Sequence, residues 1–149
     1  MEHILRYQNR PLPSFENATI GDVMHVGVIG VPPEADIETI ARALASNRIH
    51  CLVVDGVIRE DGRGERLVWG TITDLDLLRA AGVRGEQLTA ARLAATEAVT
   101  AYPSDSLERA AQLMTEHDVS HLVVTSLDSG RPIGVVSALD LAATIAWGE

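Results

Sequence analysis

The sequence predicts an α+β fold built from two tandem repeats, each ordered strand–helix–strand–strand–helix and related by pseudo-two-fold symmetry. Hydrophobic residues make up 46% of the 149 positions but aromatic residues only 3%, so the core must consist of Val, Ile, Leu and Ala. Residues 29–54 align without a gap with residues 99–124, an offset of 99 − 29 = 70. In both copies, apolar runs of strand length alternate with stretches of helical period.

The elements of the first repeat follow from the spacing of its apolar residues and from the polar, glycine-rich stretches between them. Short apolar runs predict strands, apolar residues three and four apart predict helices, and stretches rich in glycine and charge predict loops. In chain order these are a strand at Val28–Val31, a helix from Ala35 to Asn47, a buried strand at Ile49–Val54, a loop at Asp55–Arg66, a strand at Leu67–Ile72 and a helix at Leu75–Ala81.

The second repeat shows the same order with a shorter connection. Its two central apolar runs are joined through a turn and should pair as a hairpin, as in the first repeat. Asp105 and Glu108 are spaced as a capping pair for the long helix. The elements are a strand at Val99–Ala101, a helix at Asp105–His117, a strand at Val119–Thr125, a turn at Asp128–Pro132, a strand at Ile133–Val136 and a helix at Leu139–Trp147.

The chain divides into an N-terminal arm at residues 1–18, a first repeat at 19–82 and a second at 88–149, with 83–87 as the link. Cys51 is the only cysteine, which excludes an intrachain disulfide and indicates a small buried hydrophobe. No apolar run approaches the ~20 residues of a membrane span, and residues 1–10 contain no signal-peptide core. We therefore expect a cytoplasmic protein.

The charged residues argue against several classes of binding partner and exclude several catalytic mechanisms. A net charge of −9 argues against binding to nucleic acid or to an anionic membrane surface. All twelve basic residues are arginines, so a Schiff-base lysine and a P-loop lysine are excluded. No nucleophile elbow or zinc-protease motif is present, and we expect no enzymatic activity.

The most informative motif occurs twice, where a strand meets a helix. Gly70, Thr73 and Asp76 are repeated as Gly134, Ser137 and Asp140 at an offset of 134 − 70 = 64. A hydroxyl followed three residues later by an acid is a helix capping box, which needs no ligand. The same geometry also suits a nucleotide, because helix N–H groups and the hydroxyl attract phosphate while the carboxylate accepts from ribose. The sequence leaves both interpretations open, and they are compatible.

These residues resemble the CBS domain pair, also called the Bateman module, over roughly residues 19–147. The helical turn at Thr19–Met24 and the weaker copy at Leu88–Leu93 match the start of each family repeat. The resemblance implies tandem CBS repeats, a stand-alone regulatory role and a homodimer. It also implies that Asp76 and Asp140 bind ribose and that Thr73 and Ser137 contact phosphate.

Further candidate residues come from the same resemblance. The adenine base is expected near the strand ends that carry Gly30 and Thr100, although Gly30 could equally mark a bend. His121 occupies the position of a phosphate-contacting basic residue, where the first repeat has Cys51, and Arg48 lies close by. Each has a plain structural alternative: a half-buried strand residue for His121 and a solvated helix end for Arg48. A metal site at His117 and His121 is not expected, because the pair straddles a turn.

We therefore predict a non-catalytic sensor of an adenosine-containing ligand: AMP, ADP or ATP, with S-adenosylmethionine or NAD less favoured. The ligand is expected in one or both clefts between the repeats, where it would favour one arrangement that an unidentified effector protein reads. The alternative is a dimerisation or interaction scaffold whose clefts stay empty, for which Gly30 and Cys51 are the best sequence evidence.

Overall fold

The computed structural model describes residues 12–49, 51–62, 64–81, 88–94 and 96–149, with the backbone alone described at 57–61, 66–67 and 96–97. These residues contain helices α1 (Ile20–Val23), α2 (Ile37–Asn47), α3 (Asp74–Ala81), α4 (Ala90–Leu93), α5 (Leu107–His117) and α6 (Ala138–Trp147). The strands are β1 (His25–Val26), β2 (Gly30–Val31), β3 (Cys51–Asp61), β4 (Gly64–Thr73), β5 (Thr96–Glu97), β6 (Thr100–Ala101), β7 (His121–Thr125) and β8 (Pro132–Ser137). The predicted α+β class and repeated element order are confirmed.

The elements form two compact units, each with one four-stranded sheet. The first unit is Val28–Ala98, and its sheet has the order β2-β3-β4-β5. The second unit combines Val99–Glu149 with the described residues up to Gly27, and its sheet has the order β1-β8-β7-β6. The compact units therefore differ from the sequence repeats: α1 and β1 open the first repeat but belong to the second unit, whereas α4 and β5 belong to the first.

Strand pairing explains this assignment. The backbone donors and acceptors of a two-residue strand stay unpaired unless a neighbouring strand forms hydrogen bonds with them. β1 pairs antiparallel with β8, with His25 opposite Val135, and β5 pairs antiparallel with β4, with Thr96 opposite Thr71. Each opening segment thus joins the sheet edge that offers it hydrogen bonds.

The centre of each sheet is the hairpin that the sequence predicts. β3 pairs antiparallel with β4, and β7 with β8. The short strand that precedes each long helix pairs parallel with the hairpin, Gly30 opposite Val53 and Thr100 opposite Val123. A helix connects each parallel pair, as a crossover between parallel strands requires.

Each unit has its own aliphatic core, as the composition predicts. In the first unit, Ile40 of α2 packs with Leu52, Val54 and Ile72 of the sheet, and each is fully buried. The second core repeats this layer; its fully buried members include Ile20, Leu107, Leu122, Val124 and Val136. Ile20 comes from α1, so this short helix contributes to the core of the unit in which it lies.

The predicted loop at Asp55–Arg66 is wrong. β3 continues to Asp61 and β4 begins at Gly64, so most of this stretch is a two-stranded ribbon. The register shifts between Val54 and Val57, and Gly56 has a φ of 71° there, which is the geometry of a bulge. Composition suggested a loop, but backbone pairing holds a ribbon together whether or not its side chains are apolar.

The predicted capping pair of Asp105 and Glu108 is also wrong, by one residue. Ser106 is the N-cap of α5, and its side chain accepts a hydrogen bond from the backbone N–H of Arg109 at 3.1 Å. Asp105 instead accepts from the backbone N–H of Tyr102 at 2.8 Å. Its carboxylate therefore stabilises the turn before the helix.

The described part of the N-terminal arm lies against the chain's own C-terminus. The N–H of Ser14 donates to the carbonyl of Glu149 at 2.9 Å, and the N–H of Glu149 donates to the carbonyl of Leu12 at 3.0 Å. The Leu12 side chain is buried in the second core. Residues 1–11 and the predicted link at 83–87 lie outside the described residues. None of the described helices has the length and hydrophobicity of a membrane span.

Candidate functional site

The two repeated motifs lie where β4 meets α3 and where β8 meets α6. We call Thr73 with Asp76 the first junction and Ser137 with Asp140 the second junction. Both form capping boxes. The N–H of Thr73 donates to Oδ2 of Asp76 at 2.9 Å, and the N–H of Asp76 donates to Oγ1 of Thr73 at 3.2 Å. At the second junction the N–H of Ser137 donates to Oδ2 of Asp140 at 2.9 Å, and the N–H of Asp140 to Oγ of Ser137 at 3.2 Å.

The capping interpretation is thus confirmed at both junctions, and ligand binding there remains a prediction. Each box holds its hydroxyl and carboxylate at the N-terminus of a helix, where the macrodipole favours negative charge. A ligand with a phosphate and a sugar diol would meet complementary groups at this position.

His121 lies beside the second junction, directly across the β7–β8 pair from Ser137. Opposed residues in such a pair have Cβ atoms about 4.5–5.5 Å apart. The imidazole is half-buried, and its Nδ1 is 3.0 Å from Oγ of Ser120. Cys51 lies opposite Thr73 in the first unit, so the sequence alignment placed this pair of positions correctly.

The thiol of Cys51 cannot replace a basic side chain at the first junction. Cys51 is buried, and burial, followed by the charges of Asp76 and Asp74, raises the pKa of its thiol to about 12. The group is therefore neutral at physiological pH and offers no charge to a phosphate.

Gly30 and Thr100 occupy matching exposed positions, two strands away from the junction of their own unit. Two inter-strand spacings correspond to about 10 Å, so a base near these residues and a phosphate near a junction require an extended ligand. A Cβ built at Gly30 would lie 3.6 Å from the carbonyl oxygen of Val53, an ordinary contact. The backbone there does not need glycine for space.

Arg48 is the exposed C-cap of α2, in the left-handed conformation with φ 50° and ψ 49°. Its N–H donates to carbonyls of the last helical turn, at Leu44 and Ala45. These contacts agree with the helix-end interpretation of Arg48. His50, which precedes β3, lies outside the described residues.

The two junctions differ in how their carboxylates are covered. The Asp140 side chain has no exposed surface, and its Oδ1 is 3.0 Å from Nε2 of His25. The Asp76 side chain is 17% exposed, and its Oδ1 is 3.7 Å from Nη1 of Arg79. Burial raises the pKa of Asp140, but hydrogen bonds from His25 and Ser137 outweigh burial and hold the pKa below its ordinary value.

Sequence reasoning missed both of these neighbours. Arg79 was detectable, because it follows Asp76 by three residues on one helix face. His25 is 115 residues from Asp140, and no local pattern connects them. Within the described ranges, no group of three or more His, Cys, Asp or Glu side chains is arranged to share a metal ion.

Comparison with known proteins decides the family. The sequence model of the CBS domain matches residues 20–82 and 90–146. The chain is a CBS domain protein. The two matches fall on the two sequence repeats, so the predicted family is confirmed.

This CBS pair is similar to one curated protein and to solved CBS structures. It is 27% identical over 129 residues to the CBS domain-containing protein YhcV of Bacillus subtilis strain 168, covering 84% of each chain. A solved CBS domain protein, PAE2072 from Pyrobaculum aerophilum complexed with AMP, is 25% identical with a TM-score of 0.67, covering 86% of this chain and 98% of that one. The CBS pair of protein MJ0100, in complex with 5′-methylthioadenosine and S-adenosyl-L-methionine, shares the fold at 22% identity and a TM-score of 0.68, over 84% of this chain and 97% of that one.

Proposed function

We propose that this CBS pair is a cytosolic, non-catalytic sensor that binds an adenosine-containing nucleotide at its strand-to-helix junctions and signals to a partner protein. The orientation and exposure of Asp76 at the first junction support this proposal most directly. Oδ2 of Asp76 is fixed by the capping bond from Thr73, while the side chain keeps an exposed fraction of 17%. The carboxylate is thus oriented by the fold and still reachable by a ribose diol.

The chemistry of the neighbouring groups supports a phosphorylated ligand. Thr73 presents a hydroxyl at the start of α3, and Arg79, 71% exposed, adds a cation one turn away from Asp76. A phosphate prefers a helix N-terminus with a nearby arginine. PAE2072, at 25% identity, was solved with AMP, which makes AMP the first ligand to try.

Isothermal titration with AMP, ADP, ATP, S-adenosylmethionine and NAD tests the proposal, with GMP as the base-specificity control. Asp76→Asn removes the charge that accepts from ribose, and we expect AMP binding to weaken about 10- to 150-fold. Asp36→Asn is the matched control, because Asp36 caps α2 through the N–H of Thr39 and lies outside both junctions. Asparagine is an equally good N-cap, so this variant should bind AMP as the wild type does.

An absence of heat and of thermal stabilisation with every adenine compound would refute the sensor. At 100 times its dissociation constant, a ligand that binds only the folded state should stabilise it by about 2.7 kcal/mol. Signalling further requires that the ligand bind two conformations with different affinity.

A second feature supports self-association. Self-association is also what the alternative function, a dimerisation scaffold, requires. Large apolar side chains are exposed on two helices: Leu75 and Leu78 on α3, and Leu139, Ile145 and Trp147 on α6. The only charged residue of α6 is the buried Asp140, so the exposed face of that helix carries no charge. Such faces are typical of protein interfaces.

We propose that a second copy of the chain covers α6. Sedimentation should give a dimer for the wild type and a monomer for Ile145→Asp. Leu127→Asp is the control: Leu127 is as exposed as Ile145, both at 72%, but lies in the β7–β8 turn. A monomeric wild type would contradict this assignment. A dimer that binds no nucleotide would favour the scaffold.

A further inference from the structure

We infer that His25 determines which of the two junctions accepts a nucleotide, by occupying the ribose-binding carboxylate of the second junction. This inference rests on the proposed function, because it concerns access to the same kind of site. Its starting observation is the contact of 3.0 Å between Nε2 of His25 and Oδ1 of Asp140.

Both oxygens of Asp140 are engaged by the protein. Oδ2 accepts from the N–H of Ser137 at 2.9 Å and from its hydroxyl at 3.0 Å, and Oδ1 faces His25. The carboxylate has no exposed surface, whereas the imidazole is 40% exposed. A ribose diol can reach Oδ1 only if the imidazole moves away.

No described side chain makes an equivalent contact at the first junction. Oδ1 of Asp76 is 3.7 Å from the guanidinium of Arg79, which is beyond hydrogen-bond distance, and the side chain is 17% exposed. Arg79 is itself largely exposed and can turn toward solvent without opening the core.

The difference follows from one register position. His25 of β1 lies opposite Val135 of β8, and Thr96 of β5 lies opposite Thr71 of β4. Because the motifs are offset by 134 − 70 = 64, Val135 corresponds to Thr71, and Thr96 therefore occupies the position of His25 in the other sheet.

Displacing His25 carries a definite penalty in affinity. A hydrogen bond between a charged acceptor and its donor corresponds to about 10- to 150-fold in an equilibrium constant, and this bond must break before ribose binds. The second junction should therefore bind a nucleotide 10- to 150-fold more weakly than it would without His25. The first junction should fill alone over a wide range of concentration.

Titration with AMP tests the inference through stoichiometry. The wild type should titrate one strong site, which Asp76→Asn should weaken about 10- to 150-fold. His25→Thr, which copies the residue of the other sheet, should titrate two sites, and adding Asp140→Asn should return it to one. His25→Gln keeps an N–H donor near the position of Nε2 and should titrate one site as the wild type does.

Each outcome has a distinct meaning. Two strong sites in the wild type, one site in a folded His25→Thr, or weaker binding in that variant would overturn the inference and leave the proposed function standing. A circular dichroism melt confirms that the variant is folded. If His25→Thr does not fold, two strong sites in the wild type remain the result that would overturn the inference. If neither the wild type nor His25→Thr binds any of AMP, ADP, ATP, S-adenosylmethionine and NAD, the proposed function is overturned, and this inference with it.

Discussion

Replacing Asp140 by alanine should destabilise the protein far more than the same change at Asp76, although the two residues occupy equivalent places in the two repeats. Each aspartate closes a capping box, and losing a helix cap costs about 1 kcal/mol. Asp140 also has the contact with His25 at 3.0 Å, and a hydrogen bond to a charged group contributes about 1.5–3 kcal/mol. The pair of Asp76 with Arg79 is long at 3.7 Å, and Arg79 is 71% exposed, so the pair adds little.

The expected loss in the free energy of unfolding is therefore about 2.5–4 kcal/mol for Asp140→Ala and about 1 kcal/mol for Asp76→Ala. The difference of about 1.5–3 kcal/mol corresponds to a gap of roughly 3–12 °C in Tm for a chain of this length. Urea denaturation followed by circular dichroism measures it. Fluorescence can assign the loss to a unit, because Trp69 lies in the first unit and Trp147 in the second.

The effect should depend on pH in a defined direction. The pKa of Asp140 is lowered in the folded state from an ordinary value of 3.8, so its carboxylate stabilises the fold above the unfolded pKa. That contribution is lost as the pH falls through the lowered pKa, and the gap between wild type and Asp140→Ala should shrink below about pH 4. Equal destabilisation by the two alanine variants at pH 7 would refute the reasoning.

Three further predictions concern stability and reactivity. Asp118 is the C-cap of α5, where it has a φ of 53° and places a negative charge at a helix C-terminus. Asp118→Gly should therefore stabilise the protein by about 0.5–1 kcal/mol, and Asp118→Asn by less. A lower Tm for the glycine variant would contradict this. A Cβ at Gly134 would lie 2.5 Å from the carbonyl oxygen of His25, so Gly134→Ala should lower the free energy of unfolding by about 1–3 kcal/mol. A Cβ at Gly30 has room, and Gly30→Ala should lower it by less. Similar losses in the two variants would show that β1 does not approach β8 closely. Because burial raises the pKa of the Cys51 thiol to about 12, a disulfide reagent at pH 8 should leave the folded protein unlabelled and label one thiol in urea; rapid labelling without urea would contradict the burial.

The sequence alone determined the repeat and the two junctions, and these carry the resemblance to the CBS family. Their signals are local: apolar residues at strand or helix spacing, and a hydroxyl three residues before an acid. The hairpins followed from the same patterns. Composition misled at Asp55–Arg66, because a ribbon held by backbone hydrogen bonds does not need apolar side chains. The capping pair at Asp105 failed because neighbouring Ser106 is an equally good cap and one residue decides between them.

Only the tertiary structure decided which sheet each short opening strand joins and which side chain each carboxylate meets. His25 follows α1 in the first repeat but pairs with β8 and contacts Asp140, 115 residues away. A two-residue strand carries too little local information to select its partner, so the choice belongs to the sheet edge that satisfies its backbone. That pairing makes two junctions with nearly the same sequence physically different, one with a partly exposed carboxylate and one covered by an imidazole.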